Sequence, residues 1–215
     1  MNDAPRKCEW GLYVITDTAI SGMSHQEATR AAIAGGARVV QLREKKILFE
    51  ELLEIGREVR RITSERGVTF IINDNPYLAH EIGADGVHLG QTDCPADIAR
   101  EIMGPGKIIG LSTHTKQQAL AAQLMPVDYI GVGPIYATAS KVSEWSPVGT
   151  PLIRWVRQSV RLPMVAIGGI TGERIIDVVA AGAHNVAVIG ELMKAPDIES
   201  KARDLCEAIR RAHEE

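Results

Sequence analysis

Residues 70–93, FIINDNPYLAHEIGADGVHLGQTD, read as a strand, a helix and a second strand. The first strand runs into Asp74, and Asn75 followed by a proline is typical of a helix start. Gly83 ends that helix, and the second strand leads into a loop that closes with Asp93. Both strands of a parallel βαβ unit end at the same edge of the sheet. The two aspartates can therefore converge on one site.

These two carboxylates have two interpretations. Carboxylates that meet at a loop face predict a hard cation such as Mg²⁺, held together with water and a substrate phosphate. Alternatively, Asp74 and Asp93 cap the helices that follow them. Their spacing by itself leaves both interpretations open.

Composition indicates a soluble globular protein, with 45% hydrophobic and 24% charged residues in a chain of 215. The net charge of −3 argues against a nucleic-acid partner, because no basic face dominates. Three widely spaced cysteines fit a reducing compartment better than a disulfide framework or a zinc site. The N-terminus lacks an apolar signal segment, and no apolar run is long enough to span a membrane. We therefore expect a cytoplasmic protein.

Short β-rich runs alternate with helical segments along the whole chain, giving eight predicted strands and eight helices. Continuously apolar strands such as MVAI at residues 164–167 favour a parallel sheet covered on both sides. The pattern predicts an α/β fold, a single (β/α)8 TIM barrel over residues 1–215 with an N-terminal extension at 1–10. An open doubly wound sheet would need fewer strands. The aperiodic segment at 133–149 is predicted to be a lid or binding loop.

A barrel carries its chemistry on the loops that follow the strands. Here those positions hold cations, acids, amides and hydroxyls: Gln41, Arg43, Lys45, Asn73, Asp74, Gln91, Asp93, Ser112, His114, Thr138, Ser140 and Lys141. The combination of cations and carboxylates suggests a metal-bound diphosphate. After strands seven and eight come Gly168, Gly169 and Gly190, which either let a phosphate approach the backbone or serve as turn glycines.

Seven runs resemble the thiamine phosphate synthase family. They are LYVITD at 12–17, QLREK at 41–45, IIND at 71–74, GADGVHLGQTD at 83–93, IGLSTH at 109–114, DYIGVGPIYAT at 128–138 and VAIGGI at 165–170. They span nearly the whole chain in one order. The resemblance implies a (β/α)8 transferase that joins hydroxymethylpyrimidine diphosphate to thiazole phosphate and releases diphosphate, with Mg²⁺ as cofactor.

Roles for single residues follow from the same resemblance. The pyrimidine diphosphate would contact Gln41, Leu42, Arg43, Glu44, Lys45, Asn73, Ser112 and Lys141, of which Arg43, Lys45, Ser112 and Lys141 would be catalytic. The thiazole phosphate would contact Thr138, Ala139, Ser140, Gly169, Ile189 and Gly190. Asp74 and Asp93 would bind Mg²⁺ that bridges the diphosphate oxygens. The thiazole nitrogen is itself a nucleophile, so we read Lys141 as an electrostatic contact on a dissociative path.

Two positions depart from the family pattern. Ser140 replaces a usual threonine and keeps the hydroxyl, whereas Gly190 replaces a usual serine and loses it. The thiazole-phosphate side is therefore the open part of the site. We also expect His88 to be a buried, hydrogen-bonded histidine, and Glu44 to pair with or orient Arg43 and its neighbouring lysine.

Two other functions compete with the transferase. A thiazole tautomerase of the same fold needs neither metal nor a grip on diphosphate, and the cations and acids at the strand ends speak against it. A non-catalytic phosphate-binding regulator would not need both Asp74 and Asp93. We expect small-molecule substrates, no nucleic acid, no membrane, and either a monomer or a homodimer.

Overall fold

The computed structural model describes residues 8–138, 140 and 145–214. Eight parallel strands close into a barrel in chain order, and the last strand pairs with the first. They are β1 (Leu12–Thr16), β2 (Val39–Leu42), β3 (Thr69–Asn73), β4 (Gly86–Leu89), β5 (Ile108–Thr113), β6 (Tyr129–Val132), β7 (Met164–Ile167) and β8 (Asn185–Val188). The predicted TIM barrel is confirmed.

A helix of six residues or more follows every strand. These helices are α2 (His25–Ala34), α3 (Phe49–Glu65), α4 (Pro76–Ile82), α5 (Ala96–Met103), α6 (Lys116–Ala122), α7 (Gly149–Ser159), α8 (Ile175–Ala180) and α10 (Ile198–Glu214). Two one-turn helices, α1 (Thr18–Ser21) and α9 (Gly190–Met193), and a 3₁₀ turn at Gly172–Arg174 add to them. The sequence did not predict the two one-turn α-helices, because one turn carries no periodicity.

The predicted boundaries of α4 are confirmed by its capping bonds. The Asn75 side-chain oxygen accepts a hydrogen bond from the Leu78 N–H at 3.0 Å, and Gly83 ends the helix with a left-handed backbone, φ 70°. A capping box between Ser24 and Glu27 starts α2 in the same way. Local sequence signals therefore place these two helices.

The core has two layers, because successive strand residues alternate between the barrel interior and the surrounding helices. The outer layer packs strand residues such as Val14 against the helices. The inner layer fills the barrel with Tyr13, Ile15, Val39, Ile71, Tyr129, Val165 and Ala187. The interior is therefore packed at depth, which leaves the ends of the strands for ligands.

Residues 8–11, which lead into β1, are held at the amino end of the barrel. Asn185 accepts a bond from the Trp10 N–H at 2.8 Å and donates one to the Cys8 carbonyl at 2.7 Å. The Trp10 ring packs edge-on against Tyr13 and Tyr129, with centroids 5.7 and 5.1 Å apart. Trp10 is thus a packing residue. Among the described residues, every helix is too short or too polar to cross a bilayer.

Candidate active site

A small cavity opens from the barrel interior toward the carboxyl ends of the strands. Its lining combines interior residues with five predicted site residues: Gln41, Arg43, Asn73, Ser112 and Ile189. The sequence did not single out the remaining lining as part of a site: Tyr13, Ile15, Tyr129, Gly131, Val165, Ile167 and Ala187. Side chains along each strand alternate between the two faces of the sheet, and this alternation could have identified the residues that face the barrel interior.

Arg43 is held by an acid that the sequence interpretation missed. Its guanidinium donates a short hydrogen bond to the Asp17 carboxylate, and both side chains are largely enclosed. The Arg43 Nε–H is buried and meets no acceptor in the described part of the chain. A buried donor of this kind suits an incoming anion. Asp17 directly follows β1, so it repeats the pattern that singled out Asp74 and Asp93.

Glu44 orients its loop without pairing with either neighbouring cation. Its carboxylate accepts bonds from the Lys45 and Lys46 N–H groups at 2.7 and 3.0 Å, and from the Thr18 hydroxyl at 2.9 Å. Burial acts to raise the pKa of Glu44, but these hydrogen bonds outweigh it and hold the pKa below its ordinary value. Of the two expected roles, orienting is the one observed, because Asp17 already takes the Arg43 guanidinium.

Asp74 and Asp93 lie at the ends of neighbouring strands, and neither caps a helix. Asn75 caps α4, while α5 has Pro95 at its N-cap and no side-chain cap. The capping interpretation is therefore wrong for both acids. The Asp93 carboxylate instead accepts the Gly90 N–H at 2.6 Å within its own loop.

The backbone at Asp74 is unusual. Its φ is 65°, the one positive value at a described residue other than glycine. The Asp74 N–H donates to the His88 carbonyl at 2.8 Å, and the Lys45 ammonium lies 3.5 Å from the carboxylate. Strained backbone of this kind is commonly found at functional sites.

The donor chemistry of these acids suits Mg²⁺. No group of three or more His, Cys, Asp and Glu within the described residues could hold a metal by itself. Two carboxylates that leave the other positions to water and substrate phosphates are the arrangement that Mg²⁺ favours, whereas zinc prefers nitrogen and sulfur ligands. Asp74 and Asp93 thus fit a magnesium site that is completed by the substrate.

His88 lies half-buried in the cavity wall. Its Nδ1 is 2.8 Å from the Tyr129 hydroxyl, and its Nε2 is 2.9 Å from the Ser112 hydroxyl. The prediction of a hydrogen-bonded histidine is confirmed, but the ring is closer to the site than expected. Leu42, also predicted to contact the pyrimidine diphosphate, has its side chain buried in the outer core layer and does not line the cavity.

The glycines after β7 are needed for packing. Gly168 and Gly169 have positive φ values of 100° and 61°. A Cβ on Gly168 would lie 2.6 Å from the Pro134 Cα, and one on Gly169 would lie 2.4 Å from the Ala137 carbonyl. The turn-glycine interpretation thus accounts for both residues. Within the described part, the N–H groups of Gly169 and Gly190 donate to no other residue, which leaves them for a phosphate.

Gly190 and Ser140 are packed together. A Cβ on Gly190 would lie 2.4 Å from the Ser140 Oγ, so this hydroxyl occupies the place of a side chain at 190. The Ser140 N–H donates to the Thr138 hydroxyl at 3.2 Å. The structure thereby brings together three of the residues predicted to hold thiazole phosphate. Two further predicted residues, Ala139 and Lys141, lie outside the described residues.

Both described ends of the loop at 133–149 are fixed to the barrel. The Ile135 N–H donates to the Ile167 carbonyl at 2.9 Å. The Trp145 ring stacks on His114 with centroids 4.7 Å apart, and the His114 Nδ1 bonds the Gly133 carbonyl at 2.5 Å. Trp145 therefore attaches the loop to the end of β5, a role that the sequence did not reveal.

A family model described as thiamine monophosphate synthase matches residues 12–192. The chain belongs to this family. Curated thiamine-phosphate synthases from Moorella thermoacetica and Chloroflexus aurantiacus are 44% and 43% identical to it, covering 95% and 92% of this chain and 98% and 91% of their own. A thiamine phosphate pyrophosphorylase structure from Pyrococcus furiosus superposes with a TM-score of 0.87 at 34% identity, covering 95% of this chain and 97% of that one. The resemblance seen in the sequence is confirmed.

Proposed function

We propose that this chain joins hydroxymethylpyrimidine diphosphate to thiazole phosphate with the help of Mg²⁺, releasing diphosphate. As a member of the thiamine monophosphate synthase family, the chain is a transferase that forms thiamine phosphate. One observation carries the residue-level proposal: Arg43 and Lys45 after β2 meet acids at the ends of β1 and β3. Cations interleaved with carboxylates fit a metal-bound polyanion.

The diphosphate would lie along the carboxyl ends of β2 to β4. Arg43 is preorganised by Asp17, and its Nε–H, which has no acceptor among the described residues, supplies a directed donor. Lys45, half-exposed, would exchange its contact with Asp74 for one with the diphosphate. Mg²⁺ held by Asp74 and Asp93 would neutralise charge on the leaving diphosphate oxygens.

Departure of diphosphate leaves a cation on the pyrimidine methylene carbon, which the ring amino group can stabilise. The barrel side of the cavity includes the apolar side chains of Ile15 and Val165, which are almost fully buried. Attack by water on the cation is thereby disfavoured. The thiazole nitrogen supplies the electron pair for the new bond, so no side-chain nucleophile is needed. Positioning of the two heterocycles accounts for much of the rate.

The thiazole phosphate would bind on the opposite side, after β6 to β8. The Thr138 and Ser140 hydroxyls and the N–H groups of Gly169 and Gly190 are donors there. Ser140 beside Gly190 retains a hydroxyl at the place that a serine at 190 would occupy. We assign Lys141 an electrostatic contact with the diphosphate, as the family resemblance implies.

A reconstituted reaction tests the proposal. Purified protein mixed with both phosphorylated heterocycles and Mg²⁺ should release thiamine phosphate and diphosphate in equal amounts. EDTA should stop the reaction, and excess Mg²⁺ should restore it. A folded protein that forms no product would contradict the proposal, and isomerisation of the thiazole alone would favour a tautomerase.

A matched pair of variants tests the metal assignment. Asp93→Ala should abolish turnover and change the free energy of unfolding by no more than about 1 kcal/mol, as is usual near a surface. Asp97→Ala removes an exposed acid in the first turn of α5 and should leave turnover intact. Equal activity in the two variants would remove Asp93 from the site.

A further inference from the structure

Four hydrogen bonds connect five side chains in a row through the barrel interior. The Gln41 amide donates to the Tyr13 hydroxyl at 2.7 Å, and the Tyr13 and Tyr129 hydroxyls are 2.9 Å apart. The Tyr129 hydroxyl is 2.8 Å from the His88 Nδ1, and the His88 Nε2 is 2.9 Å from the Ser112 Oγ. The row thus connects deeply buried phenols to a serine in the cavity wall.

The two tyrosines are enclosed on all sides. Tyr13 is 1% exposed and Tyr129 is fully buried. Gly110 makes room for the crossing rings, because a Cβ there would lie 2.1 Å from the Tyr129 Cζ and 2.5 Å from the His88 Nδ1. Burial raises the pKa of both phenols well above the ordinary value, so each keeps its single hydrogen.

The direction of the hydrogen bonds follows from counting those hydrogens. Among the described residues, the Tyr13 hydroxyl contacts only Gln41 and Tyr129, and it accepts from Gln41. Its own hydrogen must then point to Tyr129, because a buried hydroxyl hydrogen without an acceptor is costly. The Tyr129 hydrogen in turn points to the His88 Nδ1, which places the imidazole hydrogen on Nε2.

The tautomer of His88 determines the direction of its hydrogen bond with Ser112. The His88 Nε2–H donates to the Ser112 Oγ, which is the one side-chain contact of this hydroxyl in the described structure. The serine hydrogen is therefore left for a ligand in the cavity. An aminopyrimidine offers ring nitrogens as acceptors for such a hydrogen.

We propose that His88 is a positioning residue: Tyr129 fixes its Nε2–H tautomer, and the tautomer holds Ser112 as a hydrogen donor to a ring nitrogen of the bound aminopyrimidine. The identity of this ligand rests on the proposed function. The direction of the hydrogen bonds does not rest on it, because that direction follows from the protein alone.

The tautomer can be measured by NMR on protein labelled with ¹⁵N-histidine, with His88 assigned by its loss in a His88→Gln variant. The wild type should show the hydrogen of His88 on Nε2. Tyr129→Phe removes the donor to Nδ1 and should shift the ring to the Nδ1–H tautomer or to a mixture. Tyr13→Phe deletes a neighbouring buried hydroxyl but leaves Tyr129 no other acceptor, so the Nε2–H form should persist.

Steady-state kinetics supply the second measurement. Tyr129→Phe should raise the KM for hydroxymethylpyrimidine diphosphate about tenfold, the equivalent of one hydrogen bond, and leave the KM for thiazole phosphate unchanged. A general packing defect would instead change both constants.

An Nδ1–H tautomer in the wild-type protein overturns the proposal even if the Tyr129 variant fails to fold. So does an unchanged tautomer in a folded Tyr129→Phe variant, or an unchanged KM. The NMR result is independent of turnover. If the protein shows the expected tautomer but forms no product, the proposed function is refuted and the direction of the hydrogen bonds still holds.

Discussion

At the scale of single residues, Asp17 holds the Arg43 guanidinium in position for the anion that we propose as its ligand. Both side chains are mostly enclosed, so the guanidinium has little water to compensate its charge. Asp17 supplies that compensation on one side, whereas the Nε–H has no acceptor in the part of the chain that the structure describes. The arrangement holds a cation in place before the substrate arrives, which avoids reorganisation when it binds.

We expect Asp17→Asn to lower the free energy of unfolding by about 3 kcal/mol. Asparagine keeps the shape but leaves the Arg43 charge without a partner, and breaking an enclosed ion pair typically costs that much. Urea denaturation followed by circular dichroism measures the change.

The exposed pair of Glu199 and Arg203 on α10 is the control. Glu199→Gln should change stability by no more than about 0.5 kcal/mol, because exposed pairs are screened by water. Similar losses in the two variants would show that enclosure of Arg43 is energetically unimportant.

At the scale of elements, β5 is built around the absence of a side chain. Gly110 stands beside His88 of β4 and Tyr129 of β6 in the sheet register. Two large rings from neighbouring strands can share the barrel interior only because the strand between them has no Cβ at this point. This glycine therefore determines where the cavity ends and the packed core begins.

Gly110→Ala should destabilise the fold by about 1 to 3 kcal/mol, because the added methyl overpacks the interior. Gly106, in the loop before β5, has open space where its Cβ would be. Gly106→Ala should be neutral or stabilising by up to about 1 kcal/mol. Differential scanning calorimetry compares the two substitutions, and equal melting temperatures would contradict the overpacking argument.

At the scale of the whole molecule, barrel closure gathers charges from distant parts of the chain at one rim. The cations follow β2, and the acids follow β1, β3 and β4. Their common edge makes a site in which metal and diphosphate should bind together.

Mg²⁺ and inorganic diphosphate added together should raise the thermal midpoint more than the sum of their separate effects. A ligand at 100 times its Kd stabilises the folded state by about 2.7 kcal/mol. Asp74→Asn should abolish the synergy, and asparagine tolerates the left-handed backbone at this position. Asp97→Asn should retain it. Additive shifts in the wild type would argue against a shared site.

Much of this protein could be predicted from its sequence, because the signals involved are local. The alternation of strands and helices predicted the barrel, and Asn75 and Gly83 marked the ends of α4. The charged residues after the strands and their order along the chain indicated both the rim and the family. Each of these features depends on neighbours within a few residues.

Only the tertiary structure decided which of these residues meet. Arg43 pairs with Asp17 rather than with adjacent Glu44, and Tyr13 bonds Tyr129 across 116 residues of chain. The hydroxyl of Ser140 fills the place beside Gly190. Such contacts depend on which side chains face the interior once the barrel closes, and a strand's local sequence does not contain that information. The sequence therefore determines which residues follow the strands, whereas the closed barrel determines which side chains these residues contact.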